Sequence, residues 1–291
     1  MLRYAGFTLS LLFIIHACNQ SVSYSDQDDL YILSGDSTES GQALSVIYSL
    51  QLPTEISSLF EETGTGFNLN LLMPHDRIPL YNDPGQMALL LGALGVDLSY
   101  CKLFDRFLES AECYYQIELL SDKLNLPGEI FEKSSEDLEE YMDNPDSLTI
   151  LINQVYSDVD KHFKANGQES LASLSLLGGW LEAMYIAVNI YENNSMLEMG
   201  DRILQQKFAL TSLSGLLSNY QESLVVRKYI HPLNRLKSVY GQVDIRYSQE
   251  GFRVDLEDRM LYGTITELNY ESETLSTICT IIRQVWEGVN L

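Results

Sequence analysis

A mainly α-helical bundle with a small β-hairpin just before its last helix is the fold class this sequence predicts. Through most of the chain, apolar residues return at spacings of three and four, and Pro, Gly and Asn mark the breaks. Between Val243 and Leu256 the period falls to two, the pattern of strands that bury one face. Apolar residues make up 45% of the 291, and aromatics 10%, enough for a continuous core.

The chain opens with one positive charge at Arg3, an apolar run from Phe7 to Ile15, and a small residue, Ala17, before Cys18. That order of parts reads as a signal peptide. The run is much shorter than the ~20 residues a permanent membrane span requires. Ile15, Ala17 and Cys18 resemble the lipobox of bacterial lipoproteins, with His16 standing where a small or aliphatic residue is usual. The resemblance implies cleavage before Cys18 and a diacylglycerol on its sulfur, hence an exported protein anchored to a membrane. Asn19, in place of the aspartate that retains some lipoproteins at the inner membrane, points to the outer membrane and a periplasmic location. The polar run NQSVSYSDQDD has no apolar periodicity and reads as a tether. The expected organisation is a signal over 1–17, a lipid-anchored tether over 18–29 and a helical domain over 30–240. Residues 241–291 are then a hairpin plus terminal helix packed on that same domain.

In the helical domain, helices are expected over 40–50 and from Pro53 to near Gly64, followed by a loop with Pro74, Pro79 and Pro84. Asp83 as N-cap and Pro84 in the first turn then open a long apolar helix. It is expected to break near Glu109 before continuing to a turn at Asn125–Gly128. Further helices are predicted over 130–142, 145–166, 169–191, 196–220 and 224–240. Val243, Ile245 and Tyr247 alternate with Asp244 and Arg246, and Phe252, Val254 and Leu256 alternate with Arg253 and Asp255. The Ser-Gln-Glu-Gly turn between them suggests a hairpin with charges paired across it, and a third extended stretch near 262–265 is available to join. Leu275, Ile278, Ile282, Val285 and Trp286 mark the buried face of the last helix.

The segment GQMALLLGALGVDLSY (85–100) resembles GQESLASLSLLGGWLEAMY (167–185) once three residues are inserted, which suggests an internal helical repeat. Each copy ends in an acid three residues before a tyrosine, so Asp97 with Tyr100, and Glu182 with Tyr185, fall on corresponding helix faces. Gly92, Gly95, Gly178 and Gly179 each cost about 1 kcal/mol in a helix, which calls for closely packed backbones or a ligand lying against them. An unpaired acid is costly to bury in an apolar helix. Asp97 and Glu182 therefore require a tyrosine hydroxyl, a base, a cation or a polar ligand. Asp97, Tyr100, Glu182 and Tyr185 are the candidate ligand-binding residues; no catalytic residue, metal site or cofactor is predicted.

Other patterns carry less. Asp158 and His162 share a helix face, but two ligands do not make a zinc site, and an exposed charged face is the plainer reading. Gly35-Asp36-Ser37 looks like the nucleophile block of GDSL-type esterases, yet the companion Gly-x-Asn-Asp and Asp-x-x-His blocks are missing, which leaves a cap or turn. There is no GxSxG, Walker or dinucleotide fingerprint, and the four histidines are isolated in sequence. Cys101, Cys113 and Cys279 show no CxxC spacing. The first two would stand about 18 Å apart on one straight helix, so a disulfide between them needs a break, and buried free thiols are expected.

With 41 acidic against 18 basic residues and a net charge of -23, the surface repels polyanions and disfavours nucleic acid. The basic run Arg227, Lys228, His231, Arg235 and Lys237 is expected to pair with acids inside the fold. The layout, with the GVDLSY and GGWLEAMY segments, resembles helical lipoproteins of the Bacteroidota, a resemblance that implies compartment but no activity. The expected function is a lipid-anchored binding or scaffolding module for a partner protein of the cell envelope. Alternatives are a periplasmic small-molecule or cation binder using the four candidate residues, and an enzyme without a recognisable motif.

Overall fold

The computed structural model describes residues 31–32, 66–130, 145–194, 197–247, 253–255, 260–262 and 265–289. Eight helices appear among them: α1 (Pro84–Leu103), α2 (Phe107–Lys123), α3 (Pro145–Ala165), α4 (Glu169–Asn194), α5 (Leu197–Gln205), α6 (Lys207–Ser218), α7 (Leu224–Tyr240) and α8 (Ser272–Val289). The signal, Cys18, the tether, Ser37 and the helices expected over 40–50 and 53–64 lie outside the described residues, as does nearly all of the one expected over 130–142.

Local chemistry explains most of the boundaries. Asp83 caps α1, accepting from the Gln86 amide at 3.0 Å, with Pro84 in the first turn. Ser223 caps α7 in the same way. The break after α1 comes earlier than Glu109. Asp105 takes a left-handed φ of 53°, and the Arg106 amide turns back to donate to Cys101 O at 2.9 Å. Asn125 and Gly167 end α2 and α3 with the same left-handed turn. The helix expected over 196–220 is two helices, interrupted at Gln206, whose side chain accepts from the indole nitrogen of buried Trp180 at 3.2 Å. The Pro74–Pro79 loop is wound into a 3-10 turn over His75–Leu80, after a shorter one over Leu69–Leu71.

The core centres on α1 packed against α4, the most extensive helix contact in the bundle. The two run in the same direction, with Gly85 against Leu174 at one end and Asp97 meeting Glu182 further along. Trp180, Phe163, Leu94 and Leu177 fill the surrounding interior. Helix α4 is long and apolar enough to cross a membrane, but 89% of its apolar window is buried by the chain itself. It is the central helix of a bundle.

Antiparallel strands precede the last helix, as the alternation predicts, but the pairing differs. β2 (Asp244–Tyr247) pairs with β5 (Ile265–Asn269), while β3 (Arg253–Asp255) pairs with β4 (Met260–Tyr262), which also takes β1 (Tyr31–Ile32) on its other edge. The expected β2–β3 hairpin gives way to a nested arrangement. Ile245 stands opposite Leu268, and Arg246 opposite Glu267, which it meets at 2.9 Å, so the later strand answers both the apolar face and the charge of β2.

The basic run on α7 also departs from expectation. Arg227, Lys228, His231, Arg235 and Lys237 all face solvent, and Arg235 donates to Gln284 rather than to an acid. Among the described residues no ion pair joins these five to a carboxylate.

Candidate functional site

Gly92 and Gly178 show what the helix glycines are for. A Cβ on Gly92 would lie 1.8 Å from Ser175 O, and one on Gly178 the same distance from Leu89 O. The α1 and α4 backbones touch there, leaving no room for a ligand at that crossing.

Just beyond Gly92 along α1, the two acids of the repeat converge. Asp97 and Glu182 are both completely buried and within hydrogen-bonding reach of each other. Each also takes one N–H from a distant part of the chain. The Met73 amide donates to Asp97 Oδ2 at 2.9 Å, and the Trp286 indole donates to Glu182 Oε2 at 2.6 Å. Asp97 Oδ1 and Glu182 Oε1 accept from no protein donor if both groups are ionised. A single proton between the carboxyls supplies the missing donor.

Burial raises both carboxyls. Burial pushes the Asp97 carboxyl up to about 7, against the lowering effects of the Met73 amide and the hydrogen bond from Glu182. Burial, then the neighbouring Asp97 charge, pushes Glu182 well above the usual carboxylate range. Both shifts have the same sign, so the pair keeps a proton at neutral pH: two carboxyls that cannot both ionise in a dry site share it.

The two candidate tyrosines do not join the acids. The Tyr100 hydroxyl accepts from the Asn68 amide at 3.1 Å, and its ring stacks on Phe67 at 5.4 Å and meets Phe104 edge-on. Tyr185 lies flat on Trp286, centroids 3.7 Å apart. Each acid and tyrosine pair is therefore a clasp. Asp97 and Tyr100 catch the Asn68 to Met73 segment, and Glu182 and Tyr185 catch Trp286 of α8. The repeat visible in the sequence is a repeat of this fastening role, and the two clasps meet where the acids share their proton.

A second group of side chains lies beside Asp97, and sequence reasoning missed it. His75, Asp97 and Cys113 each bring a ligand-capable atom to within 4.8 Å of the others. His75 Nε2 stands 3.8 Å from Cys113 Sγ, and His75 Nδ1 stands 3.8 Å from a carboxylate oxygen of Glu112. Desolvation lowers the His75 pKa against the raising effect of Glu112, favouring a neutral ring. The Cys113 thiol is pushed far up, first by its hydrogen bond with Cys101 and then by burial. The left-handed turn at Asp105 folds α2 back on α1, so these two cysteines meet. Both are free thiols, as is buried Cys279. No local spacing announces the cluster, because its members come from a 3-10 turn and two helices.

Asp158 and His162, by contrast, form part of a charged face: Asp158 accepts from Lys161 and Gln154, and His162 meets Asn166. The fold and site define a helical bundle built around a buried carboxyl pair. No known protein family, curated protein or solved structure matches the chain.

Proposed function

We propose that the protein is a lipid-anchored binding module of the cell envelope, held by an acylated Cys18, that docks a partner protein on the outer face of α2. The observation that carries this reading is the exposure of three large apolar side chains within nine residues of that helix. Phe107, Leu108 and Tyr115 are 72%, 78% and 59% exposed. Single exposed apolar residues are ordinary, whereas several on one short face favour an interaction surface. Glu112, Glu118 and Asp122 are exposed on the same helix, so the complementary partner presents apolar residues ringed by Lys or Arg. The closed contact between α1 and α4 argues in the same direction, since a binder of small molecules between the repeated helices would need a cavity there.

The test is photo-crosslinking in cells from a reactive residue at Leu108, compared with one at Lys228 on the basic face. A discrete adduct from position 108 that disappears in Phe107→Ser supports docking through α2. Equal labelling from both positions, or none from 108, removes the support. Membrane fractionation of Cys18→Ala tests the anchor separately: release into the soluble fraction is expected, and retention contradicts lipidation.

A further inference from the structure

We propose that His75, Asp97 and Cys113 bind a divalent transition metal of the zinc class at the seam between the 3-10 turn, α1 and α2. The three offer one nitrogen, one oxygen and one sulfur, within 4.8 Å of one another, a donor set that suits zinc rather than calcium or magnesium. Tetrahedral zinc, with bonds of about 2.0–2.3 Å, separates its ligand atoms by roughly 3.3–3.8 Å. His75 and Cys113 already stand at 3.8 Å. The Asp97 oxygen lies within 4.8 Å of both, and binding requires it to stand at about 3.3–3.8 Å.

Two independent features point to a ligand. Asp97 is wholly buried, the Met73 amide donates to its Oδ2, and apart from the proton shared with Glu182 its Oδ1 meets no protein donor. A carboxylate has about four lone-pair sites, of which the Met73 amide and the proton shared with Glu182 fill two, leaving capacity for a cation. Next, His75 turns one ring nitrogen to the cluster and the other to Glu112. At 3.8 Å the Glu112 carboxylate is beyond hydrogen-bond length, but it occupies the outer position behind a ligating histidine and its charge favours a cation there. The His75 side chain is 16% exposed, so the cluster borders solvent on that side and an ion can enter. Water completes the fourth position, entering from the His75 side. On binding, the Cys113 thiol gives its proton to solvent and a sulfur–metal bond forms, with no change of oxidation state.

The bound ion would pin the 3-10 turn to the α1–α2 hairpin, reinforcing the clasp that Asp97 and Tyr100 make on the same segment. The three ligands lie apart from Phe107, Leu108 and Tyr115, although Glu112 borders both regions, and the site stands whether or not that face has a partner.

The full chain, reduced and stripped with a chelator, is titrated with cobalt(II) and then with zinc(II). Expected are a near-ultraviolet thiolate-to-cobalt charge-transfer band and strong four-coordinate visible absorption at one equivalent, both abolished by zinc. Cys113→Ser should delete the charge-transfer band and Cys101→Ser should keep it. Glu112→Gln should weaken zinc binding by roughly 10–100-fold. His75→Gln, at a partly exposed position, should weaken it at least about tenfold, and decides the matter if Cys113→Ser does not fold. Absence of the band, its survival in Cys113→Ser, or unchanged affinity in His75→Gln overturns the site.

Discussion

The indole nitrogen of Trp286 donates to Glu182 Oε2 at 2.6 Å across 104 residues of sequence, while its ring lies flat on Tyr185. The last helix is thereby bonded to the centre of α4 by a polar contact as well as by apolar packing. Trp286→Phe retains a ring against Tyr185 but removes the donor, leaving a buried oxygen bare. A loss of about 1–3 kcal/mol is expected from urea unfolding. A loss no larger than that of a surface substitution would show that Glu182 does not depend on this bond.

The α1–α4 crossing makes a sharper demand. Gly92→Ala and Gly178→Ala each place a methyl 1.8 Å from a backbone oxygen of the opposite helix, where no side-chain rotation relieves the clash. Each should cost at least about 1–3 kcal/mol and lower the melting temperature. Gly215→Ala on α6 meets nothing within 4 Å and should stabilise the fold by about 0.4–1 kcal/mol. Equal effects at the three positions would contradict the close approach.

The carboxyl pair predicts an unusual dependence on pH. Burial raises the Asp97 pKa from 3.8 to about 7 in the folded chain, so the folded state holds this proton more tightly than the unfolded state. The resulting stabilisation is full below the unfolded value and is lost as pH rises through the folded one. With metal removed by chelator, unfolding free energies of the protein and of Asp97→Asn should diverge between about pH 4 and pH 8. The native chain should lose on the order of a few kcal/mol relative to the variant. Parallel profiles would mean that Asp97 is ionised throughout.

Tyr100 provides the mildest test of the clasp. Its hydroxyl accepts from the Asn68 amide, a bond that Tyr100→Phe deletes while keeping the ring between Phe67 and Phe104. Hydrogen exchange at Asn68 should accelerate, with a loss of about 0.5–1.5 kcal/mol in overall stability. Unchanged protection at Asn68 would leave the ring contacts as the whole of the Tyr100 contribution.

Much of the helical frame follows from local chemistry and was legible in sequence. Asp83 and Pro84 announce α1, and the bounds of α3 and α7 fall within a residue of expectation. The αL turn at Asp105 was not legible, because aspartate adopts that conformation only occasionally and nothing in the local pattern marks this one. Gln206 likewise breaks a helix that is continuous in apolar pattern, drawn out of register by a bond to Trp180.

By itself the sequence determined that Asp97 and Glu182 could not stand alone, since an ionised acid among leucines, alanines and glycines must find a partner or give up its charge. Only the tertiary structure decided that the partners are Met73, Trp286 and each other, and that His75 and Cys113 gather beside them. The same holds for β2, whose alternation made it a strand but whose choice of β5 rested on Leu268 and Glu267 further along the chain. Caps and periodicity act within a turn or two and leave a local mark. Partners brought together across 24 or 104 residues are selected by packing of the whole bundle, and no spacing in the chain records them.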